Sequence, residues 1–110
     1  YGTTVDLAAP GSSIYSLKFG NSYKYASGTS MAAPLVSGVL ATLRAARPDL
    51  PYGQIKNALL NGVDRAPAFK GKVRAEGRVN ALRALLGLGD PASLEPVPQP
   101  AAPEECPKAP

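Results

Sequence analysis

Ser27-Gly28-Thr29-Ser30-Met31-Ala32-Ala33-Pro34 is the stretch of this 110-residue chain whose residue types could do chemistry. A glycine stands two residues before a serine, and that serine opens a segment with helical spacing. At a helix start the backbone N–H groups lack intrahelical partners, and the positive end of the dipole faces outward. An oxyanion forming beside the Ser30 hydroxyl would meet donors that need not reorganise. Gly28 removes a side chain that would block an approaching backbone, and Ala32 and Ala33 let the first turn press against its surroundings. Pro34 denies the Ser30 carbonyl its N–H partner, a local cost at a residue that could react. The plainer alternative is that a serine at a helix start only caps it.

A serine nucleophile needs a base to take its proton. The chain contains no histidine. Lys24 is the nearby alternative for a serine–lysine pair, but it alternates with Tyr23 and Tyr25 on a strand and reads as exposed. Read from the residues alone, this is a nucleophile without its base. One cysteine excludes an internal disulfide framework, and no cluster of Cys, His or carboxylates has zinc-ligand spacing.

The elements that position Ser30 follow from the apolar pattern. Val5–Ala9 alternates and ends at Pro10-Gly11, a strand and a turn; Ile14–Leu17 and Tyr23–Ala26 read as a hairpin around Gly20-Asn21. From Ser30 to Arg47, Leu35, Val36, Val39, Leu40 and Leu43 recur at helical spacing. Charge enters only at Arg44 and Arg47, so this helix is expected to be buried and central. Residues 52–61 form a second helix, with Ile55, Leu59 and Leu60 inward and Gln54, Lys56 and Asn57 outward. A third runs from about Ala81 to Leu86, capped by Asn80 and stopped by Gly87.

Charge and composition then divide the chain. Residues 1–89 carry 11 basic and 4 acidic side chains; residues 90–110 carry one Lys, four carboxylates and 7 prolines. The basic residues are spread out and lack interleaved aromatics, so a solvated surface is expected rather than a nucleic-acid interface. No stretch is long and apolar enough to span a bilayer. Residues 90–110 read as a disordered Pro-rich tail with no identifiable partner. Within it, Pro100-Ala101-Ala102-Pro103 has PxxP form without a flanking base, and Cys106 is a lone thiol. The chain starts at Tyr1 with no targeting segment, and is expected to be a piece of something longer.

Gly28-Thr29-Ser30-Met31-Ala32-Ala33-Pro34-Leu35-Val36-Ser37-Gly38 closely resembles the serine signature of subtilisin-like proteases. Asp6-Leu7-Ala8-Ala9-Pro10-Gly11 is similar to the segment that precedes it in that family, and Gly77-Arg78-Val79-Asn80-Ala81 to the one that begins the last helix. These landmarks occur in family order over residues 1–87. The resemblance implies an α/β fold: residues 1–89 as the C-terminal part of a parallel-sheet peptidase domain, with the central helix starting at the nucleophile. It also implies that the triad's Asp and His precede this chain. An α/β-hydrolase reading of Gly28-x-Ser30-x-Ala32 needs a histidine after the serine, and none follows.

Carried over by resemblance, Ser30 is the acylated nucleophile and its N–H an oxyanion donor, with Thr29 supporting the hole. Met31 borders the leaving-group side, and Lys24 to Gly28 line the approach. Asp6 is a weak cation candidate, against the commoner role of ion-pair partner to an arginine. Family membership further implies a polypeptide substrate, a secretory setting and structural calcium, although no cofactor is visible in the sequence. The chain alone is expected to be inactive. The rival expectation is a non-catalytic subtilase-like domain used for protein binding, which the intact Ser30 signature opposes.

Overall fold

The apolar period changes from two to that of a helix near Ser27, and the elements change with it. The computed structural model describes residues 1–2 and 4–98. Strands β1 (Ile14–Lys18) and β2 (Ser22–Ala26) pair antiparallel, with Ile14 opposite Ala26 and Lys18 opposite Ser22. Gly20 and Asn21 turn the hairpin at φ 82° and 54°, left-handed values that these two residue types reach at little cost. Helix α1 (Thr29–Ala46) begins and ends one residue before the expected bounds; α2 (Tyr52–Asn61) matches its expected span. The third helix, α3 (Ala81–Gly87), starts as expected: the Asn80 side chain accepts the Arg83 N–H at 3.0 Å. Gly87 is its last residue rather than a residue beyond the end.

Two further strands, β3 (Asp64–Arg65) and β4 (Gly77–Arg78), form a second antiparallel pair. At two residues each they are too short to show alternation, so the sequence pattern misses them. Val5–Ala9 does not form a ladder strand. It makes one parallel bridge, Ala8 to Arg78, flanked by hydrogen bonds from Ala75 N–H to Asp6 and from Val79 N–H to Ala8. A strand needs a run of partners, and among the described residues this segment has them on one side only. The parallel component of the expected sheet is confined to that bridge.

The core lies where the C-terminal half of α1 meets α2 and α3. Leu43, Ile55, Ala58, Leu59 and Ala84 are all buried there. Leu43 is the only buried residue of α1, and Leu35 is 39% exposed. The helix expected to be buried is therefore covered mainly along one side near its end, where α2 and α3 pack on it. Lys56 and Asn57, expected outward, are half-buried and hold contacts.

The expected disordered tail is corrected for residues 90–98. Pro91–Leu94 forms a 3-10 turn capped by Asp90, and Val97 is buried with Leu60, Val63 and Ala75. Asn57 donates to the Leu94 carbonyl, Asn61 to those of Ser93 and Glu95, and Arg74 to that of Val97. A proline-rich backbone is poor in N–H groups but keeps its carbonyls. Side-chain amides and a guanidinium hold those carbonyls here, which composition does not reveal. Pro100–Pro103 and Cys106 lie outside the described residues. Among the described residues, no helix is long and apolar enough to cross a membrane.

Candidate active site

Backbone contact between two motifs sets the start of α1. The Gly28 N–H donates to the Gly11 carbonyl at 2.7 Å, and the Gly28 carbonyl accepts from Met31 at 3.0 Å. A Cβ placed on Gly11 would lie 2.8 Å from that same Gly28 oxygen. Only a glycine lets Pro10-Gly11 approach this closely. A second tie joins the Ser13 N–H to the Ser27 hydroxyl at 2.8 Å. Gly28 itself caps the helix at φ 142°, a left-handed conformation that side-chain-bearing residues rarely adopt. The nearest atom to a Cβ at Gly28 would be 3.8 Å away, so conformation rather than space requires glycine there.

Because Gly28 holds the cap position, Ser30 is not the capping residue. It is the second residue of α1, it is exposed, and no side chain caps this helix. Among the described residues no carbonyl accepts the Ser30 N–H, which leaves it as a free first-turn donor. The hydroxyl opens on a cleft of about 330 Å3 between α1 and the hairpin, lined also by Met31, Pro34, Leu35, Ile14 and Lys24. Ser30 and Met31 are thus brought together. Thr29 faces the other way, into an apolar hollow of about 520 Å3 with Leu7, Ala32 and Val73. No hydrogen bond from the Thr29 side chain is found among the described residues. Nor does Lys24 hydrogen-bond Ser30, and the serine–lysine pair is not assembled.

Asp6 is an ion-pair residue. Its carboxylate lies 2.8 Å from the Lys56 ammonium and 3.5 Å from the Arg74 guanidinium. This is the ion-pair role set against the weak-cation one, with a lysine as well as an arginine facing the carboxylate. No group of three or more His, Cys, Asp or Glu converges among the described residues.

A second acidic centre was not foreseen. Asp64 accepts two hydrogen bonds from the Asn80 amide, at 3.0 and 3.1 Å, and faces Arg78 and Arg83, each at 3.4 Å. The Asn80 amide, aided by the two guanidinium groups, holds its carboxyl below the usual carboxylate range. The cluster ties β3 to the start of α3. Nothing in the spacing of residues 64, 78, 80 and 83 announces it.

The model of the subtilase family matches residues 1–89, the same span that carries the serine signature and both flanking landmarks. The chain belongs to the subtilase family. Thermitase of Thermoactinomyces vulgaris is 44% identical over 85 residues, which cover 77% of this chain and 29% of that protein. Subtilisin-like protease 1 of Plasmodium berghei (strain Anka) is 40% identical over 79 residues, 72% of this chain and 13% of that protein. Among solved structures, the A-subunit of the AB5 toxin from E. coli superposes with a TM-score of 0.70 at 33% identity, covering 83% of this chain and 28% of the other. This subtilase chain therefore spans less than a third of the relatives it matches. Its helices and strands are a part of the α/β subtilisin fold.

Proposed function

We propose that this chain is the C-terminal part of a subtilisin-like serine endopeptidase and that Ser30 is its acylated nucleophile. The observation that carries the reading is the exposed Ser30 at the glycine-capped start of α1, with its own N–H unpaired beside the hydroxyl. In the proposed reaction the Ser30 Oγ attacks the scissile carbonyl of a polypeptide. Its proton passes to a histidine from the preceding part of the protein, oriented by an aspartate that precedes it in turn. The Ser30 N–H holds the developing oxyanion together with a side-chain donor from that same part. The histidine then protonates the leaving amine, and water releases the acyl group from Ser30. Met31 borders the cleft from which the leaving group departs.

The sequence contains no imidazole, so the 110 residues alone are expected to be inactive. Structural calcium, implied by the family resemblance, is part of the same proposal; among the described residues no group of three or more carboxylates, Cys or His converges to hold it, and Asp6 faces Lys56 and Arg74. A secretory setting is part of the same proposal and is supported by the family resemblance.

A fluorophosphonate probe tests the assignment. Ser30 should label in the full-length protein and not in its Ser30→Ala variant, and residues 1–110 alone should stay unlabelled. A full-length protein that labels elsewhere or not at all would reject Ser30. Strong labelling of the 110 residues alone would reject the need for an outside base.

A further inference from the structure

The cleft beside Ser30 holds a positive charge that the reaction does not use. Lys24 stands opposite Ser16 in the hairpin register. Side chains alternate along a strand, so Ile14, Ser16, Lys24 and Ala26 share one face. That face and the first turns of α1 line the cleft into which Ser30 opens. Tyr15 and Leu17 on the neighbouring positions also reach its edge, and every lining group other than Lys24 is uncharged: hydroxyls, an aromatic ring, aliphatic side chains and the Met31 thioether. No carboxylate occurs anywhere from residue 7 to residue 48. Among the described residues Lys24 has no ion-pair partner, whereas Lys56, Arg74, Arg78 and Arg83 each face an aspartate. An unpaired ammonium lining an otherwise uncharged cleft that it shares with a nucleophile is placed to meet a charge brought by the substrate.

We propose that Lys24 is a specificity-determining residue, selecting peptides that carry Asp or Glu at the position lying against the hairpin beside the scissile bond. The inference rests on the reading of Ser30 as nucleophile and adds to it a class of substrate. A carboxylate entering the cleft is attracted to Lys24, and a Lys or Arg at the same position is repelled. The cleft is open to solvent, so the discrimination is modest, about tenfold between Glu and Lys, and screened by salt.

Matched quenched peptides settle the point, with Glu, Gln or Lys scanned through the positions on either side of the cleavage site. They are assayed as kcat/KM with the full-length protease and its Lys24→Glu and Lys24→Gln variants. At one position the wild type should favour Glu over Lys by about tenfold at low ionic strength, shrinking as salt is added. Lys24→Glu should invert that order and Lys24→Gln should level it. Fluorophosphonate labelling of Ser30, run in parallel, does not depend on a peptide side chain and so reports the nucleophile separately. If Ser30 labels while the wild type is indifferent to charge at every position, or Lys24→Glu keeps the wild-type order, the role of Lys24 is wrong. If Ser30 does not label, the nucleophile assignment falls and this inference with it. Should either variant fail to fold, the wild-type preference and its salt dependence still decide.

Discussion

Gly11 and Gly28 show how one hydroxyl is aimed by atoms that never touch it. The Gly28 carbonyl binds the first turn of α1 while its N–H is held by Gly11, so displacing either glycine tilts the turn that carries Ser30. Gly11→Ala brings a methyl group 2.8 Å from the Gly28 oxygen, and the neighbour that must yield is backbone. The expected cost is about 1–3 kcal/mol, in the range of overpacked sites, with slower fluorophosphonate labelling in the full-length protein. Gly53, in the first turn of α2 with nothing near a Cβ, is the control: Gly53→Ala should not destabilise, gaining at most about 0.5 kcal/mol, and should leave labelling alone. Thermal melts and labelling rates of the two variants decide, and equal behaviour would remove the close approach as the reason for Gly11.

At the scale of elements, the corner between β3 and α3 depends on one ionised carboxylate. Asp64 binds the Asn80 amide, and the same Asn80 side chain caps α3, so the charge state of one residue reaches the start of a helix. Its folded-state value lies below the ordinary one, so the unfolded chain binds the proton more readily. Stability from this group is therefore complete above the ordinary carboxylate range and is lost as pH falls through the folded value. Urea midpoints measured from pH 6 downward should fall in acid, and Asp64→Asn should flatten part of that slope while lowering the plateau. An unchanged slope would mean that the cluster is only a surface ornament. The segment Pro91–Val97 is a second such device: it closes the cluster of Leu60, Val63 and Ala75 beyond the end of the family match.

The described residues leave one side of the N-terminal half of α1 exposed, and this is where the proposal that more protein precedes the chain can be tested. Gly38 lies in the middle of α1 with open space around a would-be Cβ. In residues 1–110 alone, Gly38→Ala should stabilise by about 0.5–1 kcal/mol, the ordinary gain of alanine over glycine in a helix. In the full-length protein the same change should destabilise, since the added methyl would meet whatever covers that face. Denaturant titrations of both forms check the sign, and stabilisation in both would mean that α1 stays bare.

The sequence alone determined the helix spans, the hairpin, the Asn80 cap and the serine signature, because each depends on neighbours a few residues apart. Helical spacing from Leu35 to Leu43, a proline stop at Pro48 and a Gly-Asn turn are local choices, and local physics made them. It could not say that Gly28 rather than Ser30 would occupy the cap, that Asp6 would face Lys56 and Arg74, or that Thr29 and Ser30 would open on different hollows. Nor did composition show that Asn57, Asn61 and Arg74 would hold a proline-rich segment by its carbonyls. Those outcomes join residues tens of positions apart, and only tertiary packing decides which side chains meet, how much water they lose and which way a helix start points.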